Sequence, residues 1–185
     1  MLTNIRKKLR LNICDRKSGF TLVESIVTVF IFAMILSGVY ATLAVGDDSW
    51  QTNKTKIELQ QEARKAMEYM INDLRQAGDA SITNVPANNT WYSTITFKIP
   101  SGVSSGSITW NNNSIVLAKG GTGNSQLIRT YAGNPKILAQ NLQSIQFRRQ
   151  STSPDILEVS IQEQGVTAKN RTLTYTLNFS LQLRN

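Results

Sequence analysis

The sequence predicts an α+β protein: one long N-terminal α-helix, membrane-spanning in its first half and amphipathic in its second, packed on a mostly antiparallel β-sheet. Three observations carry this expectation. Residues 20–45 form an apolar run whose only charge is Glu24. Between Leu59 and Leu74, apolar residues at 59, 63, 66, 67, 70 and 74 mark one face of an α-helix. Beyond Gly78 the period shortens to two, the signature of half-buried strands.

The chain opens on a basic stretch. Of 20 Lys and Arg against 12 Asp and Glu, six cations (Arg6, Lys7, Lys8, Arg10, Arg16 and Lys17) sit in residues 1–19 with Asp15 as the one acid. The net charge of +8 is therefore concentrated beside an apolar run. That arrangement keeps a flank in the cytoplasm, and it argues against nucleic acid as a partner. Cys14 is the only cysteine, so residues beyond it can form no internal disulfide or thiolate cage. Leu11, Asn12 and Ile13 before it do not make a lipoprotein signal.

Residues 20–45 are long enough to cross a bilayer, for which about 20 apolar residues suffice. The run exceeds the apolar core of an ordinary signal peptide, and no small-x-small cleavage site follows it. An ionised carboxylate costs roughly 2.5–3.5 kcal/mol at the centre of a membrane helix and less near an end. Glu24 has no cation inside the run. Two readings stay open from the residues alone: the carboxylate snorkels toward Arg16 and Lys17, or it awaits a partner.

Residues 46–78 continue the helix, since no proline occurs before Pro86. Gly78 is the expected C-cap, and an unbroken helix would run from Phe20 to Ala77. Met67 and Met70 read as core filler. Asp47 and Asp48 mark the lipid boundary; two adjacent carboxylates lack the spread ligands of a calcium site. Gly38 and Gly46 are compatible with either a straight or a bent helix.

Residues 79–185 form the expected β-rich globular domain. Strands are predicted at 91–99, 107–110, 114–117, 126–131, 144–150, 156–162 and 171–183. The last alternates most cleanly, with Leu173, Tyr175, Leu177, Phe179, Leu181 and Leu183 on one face for the amphipathic helix to cover. A hairpin is expected at Asn111–Asn112–Asn113. Lys119–Ser125 is glycine-rich but lacks the Gly-Lys-Ser/Thr ending of a phosphate loop, and it reads as a hairpin turn. Trp91 and Tyr92 read as core at the start of a strand, with adhesion as the alternative. Arg148 and Arg149 are too small a basic spot to argue DNA contact.

No histidine is present, which removes the commonest general base, the usual nucleophilic triads and most zinc sites. No nucleophile and base pair emerges. The chain reads as a non-enzyme with no cofactor, no metal and no small-molecule substrate.

The stretch Lys17-Ser18-Gly19-Phe20-Thr21-Leu22-Val23-Glu24 resembles the recognition site of type IV prepilins and pseudopilins. The segment from Glu62 to Gly78 and the terminal Leu181-Gln182-Leu183-Arg184-Asn185 also look like those of minor pilins of the W type and minor pseudopilins of the J type. The resemblance implies cleavage between Gly19 and Phe20 by a prepilin peptidase, N-methylation of Phe20, and a role for Glu24 in assembly through the amino terminus of a neighbouring subunit. It implies partners: other pilin or pseudopilin subunits, the prepilin peptidase and an inner-membrane assembly platform.

The implied function is that of a minor pilin or pseudopilin priming or capping a type IV pilus or a type II secretion or competence filament. The implied location is the cytoplasmic membrane, with the N-terminus in the cytoplasm, followed by a filament in the periplasm or at the cell surface. Absence of cysteine from the mature chain departs from major pilins, which often close a C-terminal loop with a disulfide. A prokaryotic origin leaves the Asn-x-Ser/Thr triplets at 53, 88, 112, 170 and 178 unglycosylated. Two alternatives share the anchor: a tip adhesin or DNA-uptake module, and a plain signal-anchored extracytoplasmic protein.

Overall fold

The computed structural model describes residues 19–183. The basic leader, Cys14, Arg184 and Asn185 lie outside the described residues. The chain divides into two compact units, one ending at Gly46 and one from Asp47 onward, and the first helix, α1 (Leu22–Leu74), contributes to both.

In the first unit α1 is apolar on all sides, and its large side chains, from Leu22 to Val45, are exposed. It is long and apolar enough to cross a membrane. Its serine and threonine hydroxyls fit that role. Ser25 donates to Thr21 O, Thr28 to Glu24 O, Ser37 to Met34 O and Thr42 to Val39 O, so each is satisfied within the helix. A hydroxyl already bonded to its own backbone costs little in lipid.

In the second unit the helix turns amphipathic where the spacing says it should. Leu59, Ala63, Ala66, Met70 and Leu74 are buried and Met67 is half-buried against the core. The helix ends at Leu74, earlier than expected. Gln76 N–H and Ala77 N–H donate to Asp73 O and Leu74 O, so the chain tightens into short-range bonds. Gly78 is extended (φ −90°, ψ 155°) and precedes a 3-10 turn at Asp79–Ser81, so it is no left-handed cap. The helix also starts at Leu22 rather than Phe20.

Among the described residues nine strands follow: β1 (Thr94–Phe97), β2 (Pro100–Ser104), β3 (Ser107–Trp110), β4 (Ile115–Gly120), β5 (Gln126–Tyr131), β6 (Asn134–Ala139), β7 (Leu142–Arg149), β8 (Ile156–Val166) and β9 (Thr172–Gln182). They form three antiparallel sheets rather than one: β1-β4-β5-β6, β2-β3 and β7-β8-β9. The glycine-rich stretch does join paired strands, β4 and β5. The three asparagines do not make a hairpin. β3 pairs with β2 while β4 pairs with β1 and β5, and the Asn111 side chain accepts from Asn113 N–H to turn the chain between sheets.

β2 and β6 lie outside the predicted strands for one reason. Each carries a proline, and each is built on a tight turn with two positive φ values, Ser105-Gly106 and Ala132-Gly133. That conformation suits two-residue hairpins, and glycine reaches it without strain. Pro100 opens its strand and Pro135 lies on an edge strand, the positions where a missing N–H is tolerated.

The core gathers Met70 and Leu74 of α1 with Ile95, Phe97, Ile115, Leu117, Leu127, Leu142, Ile145, Phe147, Leu157 and Ile161. Each fully buried side chain of this size contributes about 1.5–3 kcal/mol. The apolar face of β9 is less covered than expected. Being an edge strand, it buries Leu181 and leaves Leu173, Tyr175, Leu177 and Phe179 half-buried.

β8 reaches four residues past its predicted end, which brings Glu163 onto the same inward side as Leu157, Val159 and Ile161. Its carboxyl is fully buried, and neither oxygen has a hydrogen-bond partner. Desolvation, reinforced by the Glu62 carboxylate on α1, pushes its pKa up to about 8. Two residues on, a Cβ on Gly165 would lie 3.2 Å from Thr55 Cγ2 and 3.3 Å from Leu59 Cδ2. The hairpin tip is tied to the helix by Asp48, whose carboxylate meets Lys169 at 3.3 Å and Arg171 at 3.2 Å.

Candidate functional site

The residues that the sequence singles out, Gly19, Phe20 and Glu24, lie at the entry to α1. Gly19 and Phe20 precede the helix in irregular, exposed backbone, and Phe20 is 70% exposed. An accessible peptide bond outside regular structure is what a protease needs to bind. Thr21 is the helix N-cap, because its Oγ1 accepts a hydrogen bond from Glu24 N–H at 3.2 Å. Thr21 has a role that the sequence reading passed over; the Thr-x-x-Glu spacing of a capping box was its signal.

Only half of that box forms. The backbone of Glu24 is engaged by Thr21, but among the described residues no ion pair or hydrogen bond holds its carboxylate. Placement in the first turn favours a negative charge through the helix dipole. That interaction is worth about 0.3–1 kcal/mol, less than the cost of holding an ionised carboxylate deep in lipid. The balance calls for a cation.

The charged side chains of the sheet domain are used differently. Arg148 and Arg149 alternate across β7 and do not form a joint basic patch. Arg148 bonds the Glu158 carboxylate (Nε to Oε2, 2.7 Å), and its guanidinium lies 4.5 Å above the Trp91 ring. Hydrogen bonds from Arg148 and Gln150 hold Glu158 below the usual carboxylate range. Arg149 is buried, pairs with Asp79, and donates to Pro154 O and Val85 O. Burial lowers its pKa. Asp73 and Arg129 form another half-buried pair between α1 and β5. Among the described residues no group of three or more His, Cys, Asp or Glu gathers to hold a metal. Lys119 donates to Gln143 O, and the glycine-rich turn beside it leads into β5, so no phosphate-binding helix follows.

Residues 14–40 match the family model described as the prokaryotic N-terminal methylation motif. No curated protein and no solved structure matches the chain. The match takes in Gly19, Phe20, Glu24 and most of the apolar helix, and it stops short of the sheet domain. It supports a type IV pilin-like, membrane-anchored substrate of prepilin peptidase, and proteins bearing this motif are structural rather than enzymatic.

Proposed function

We propose that this chain is a minor pilin or pseudopilin subunit that primes or caps a type IV pilus or a type II secretion or competence filament. Residues 1–19 are a cytoplasmic leader removed by prepilin peptidase. Residues 20–45 are the membrane-spanning and filament-core helix, 46–78 its amphipathic continuation, and 79–185 the extracytoplasmic domain. The observation that supports this most is a carboxylate, Glu24, without a partner among the described residues, in the first turn of an apolar helix headed by the methylation motif.

Hydrolysis of the Gly19–Phe20 peptide bond leaves a carboxylate on Gly19 and a new ammonium on Phe20. N-methylation keeps that nitrogen basic and positively charged. An ammonium in lipid has the same need for a counter-charge as Glu24, so pairing offsets part of the desolvation cost of both. Between subunits, the Phe20 ammonium of one chain meets Glu24 of the next and fixes the stacking register as helices leave the bilayer. A cytoplasmic ATPase and the inner-membrane platform together do the work of extrusion, and the sheet domain stays outside the helix bundle.

Intact-mass measurement and N-terminal sequencing of the protein from its native host test this reading. The expected product begins at N-methylated Phe20. A chain retaining residues 1–19 in cells with active prepilin peptidase overturns the reading and leaves a plain signal-anchored protein. Expression without partner subunits should give membrane-bound protein and no filaments; filaments from this chain alone would make it a major pilin.

A further inference from the structure

The outer face of the β7-β8-β9 sheet carries an open groove of about 500 Å³. That volume falls in the range of small-ligand sites, roughly 300–1,000 Å³. Two cross-strand rows make its floor. In the first, Gln146 pairs with Ser160 and Ser160 with Asn178; in the second, Arg148 pairs with Glu158 and Glu158 with Ser180. Residues two apart on antiparallel strands point to the same side, so both rows face the groove together.

Trp91 forms the wall beside β7, held by backbone as well as by stacking. Tyr92 N–H donates to Phe147 O and Phe147 N–H to Tyr92 O, both at 2.8 Å, which fixes the neighbouring residue against the strand. Arg148 then clamps the indole, which stays 37% exposed.

The chemistry of the lining selects a class of ligand. Arg148 and Glu158 cancel each other through a direct ion pair, so the groove has no net charge with which to attract an anion or a cation. What it offers is two amides, from Gln146 and Asn178, and two hydroxyls, from Ser160 and Ser180. Amides and hydroxyls both donate and accept, which suits a ligand whose own groups do the same. One row further along, Ser144 and Gln162 bond each other at 3.2 Å, whereas among the described residues the Gln146 row makes no such internal bond. Arg148 covers one face of the indole, and the part of Trp91 left exposed adds an aromatic surface that packs against C–H groups. A pyranose combines these features: a C–H face, a rim of hydroxyls and no charge.

We propose that this groove binds a neutral glycan, with Trp91 as the stacking wall and Gln146, Asn178, Ser160 and Ser180 as hydrogen-bonding partners to sugar hydroxyls. The groove belongs wholly to the sheet domain, so its ligand chemistry is independent of how the N-terminus is processed.

The test is titration of the full chain, in a sugar-free polyoxyethylene detergent, with cellotetraose, chitotetraose and maltotetraose, and with tetragalacturonate as an acidic comparison. Tryptophan emission and isothermal calorimetry read the binding. At least one neutral tetrasaccharide is expected to bind with a Kd of about 1 mM or tighter. Trp91→Ala and the double variant Gln146→Ala/Asn178→Ala should each weaken it about tenfold or more, equivalent to about 1.4 kcal/mol. The double variant changes only exposed side chains and decides the matter should Trp91→Ala fail to fold. Absence of binding by all three neutral sugars overturns the proposal. So does preference for tetragalacturonate, or unchanged affinity in the double variant.

Discussion

Replacing Glu163 by glutamine should abolish a loss of stability that the sheet domain otherwise suffers as pH rises from about 4.5 to about 8. The carboxyl is fully exposed to solvent only when the chain unfolds, and there it titrates near its ordinary value of 4.5, against about 8 in the folded protein. Between those values the folded protein holds a proton that the unfolded chain has released. Raising the pH therefore favours unfolding, by about 1.4 kcal/mol per unit. The contribution is intact below pH 4.5, is lost progressively across the window, and stops changing above about 8. Over the whole window the loss amounts to about 3–5 kcal/mol, a large part of the 5–15 kcal/mol that usually separates folded from unfolded domains.

Glu163→Gln keeps the shape and polarity of the protonated acid but cannot ionise. Urea unfolding of the detergent-solubilised full chain, followed by tryptophan emission at pH 4, 5, 6, 7 and 8, measures the effect. Wild type and variant should be about equally stable at pH 4, and the variant should be more stable at pH 8. Glu158 does not mask the trend. Its lowered pKa adds stability that is lost only as pH falls below the ordinary carboxylate range, outside the window. Parallel pH profiles for the two proteins would refute the reasoning, as would a wild type that gains stability from pH 5 to 8 relative to the variant.

Glu24→Ala should be cleaved and inserted normally yet enter filaments poorly, as read by immunoblotting of sheared filament and membrane fractions; wild-type incorporation would remove the docking role. Gly19→Ala should remain at precursor mass in the membrane, and a mature product would move the cleavage site. Met70→Ala empties a fully buried position beneath the sheet and should cost about 2–5 kcal/mol by urea unfolding, with less than about 1 kcal/mol showing that the site collapses around the gap. Gly165→Val should cost about 1–3 kcal/mol, because its side chain would press on Thr55 and Leu59; an unchanged midpoint would mean the helix yields there.

Much of the candidate site was legible because it is written over a short stretch. Gly19, Phe20 and Glu24 are local to the first turn of the helix, and the cap that orders them, Thr21, is three residues from the carboxylate. The change from an apolar helix to an amphipathic one is likewise a matter of side-chain spacing, so Leu59, Ala63, Ala66, Met70 and Leu74 could be placed without the fold. Strands with clean alternation, such as β5, β7 and β9, were visible for the same reason. β2 and β6 were hidden because turns at Ser105-Gly106 and Ala132-Gly133 depend on backbone conformations that the residue types permit without demanding.

By itself, then, the sequence determined an apolar run long enough to cross a membrane, the N-terminal methylation motif, the amphipathic continuation and the α+β class, since each is written in residue types and periodicity over one or a few turns. Tertiary structure alone decided which strands pair, and so that Asn111–Asn113 passes between sheets. It also decided that Arg148 lies over Trp91 while Arg149 is buried against Asp79, that Asp48 meets Lys169 and Arg171, and that Glu163 is sealed beneath the helix near Glu62. The physical reason is separation along the chain. Periodicity fixes which way a side chain points, but its neighbour there comes from a segment tens of residues away, and the choice among segments depends on closing loops and filling one core together.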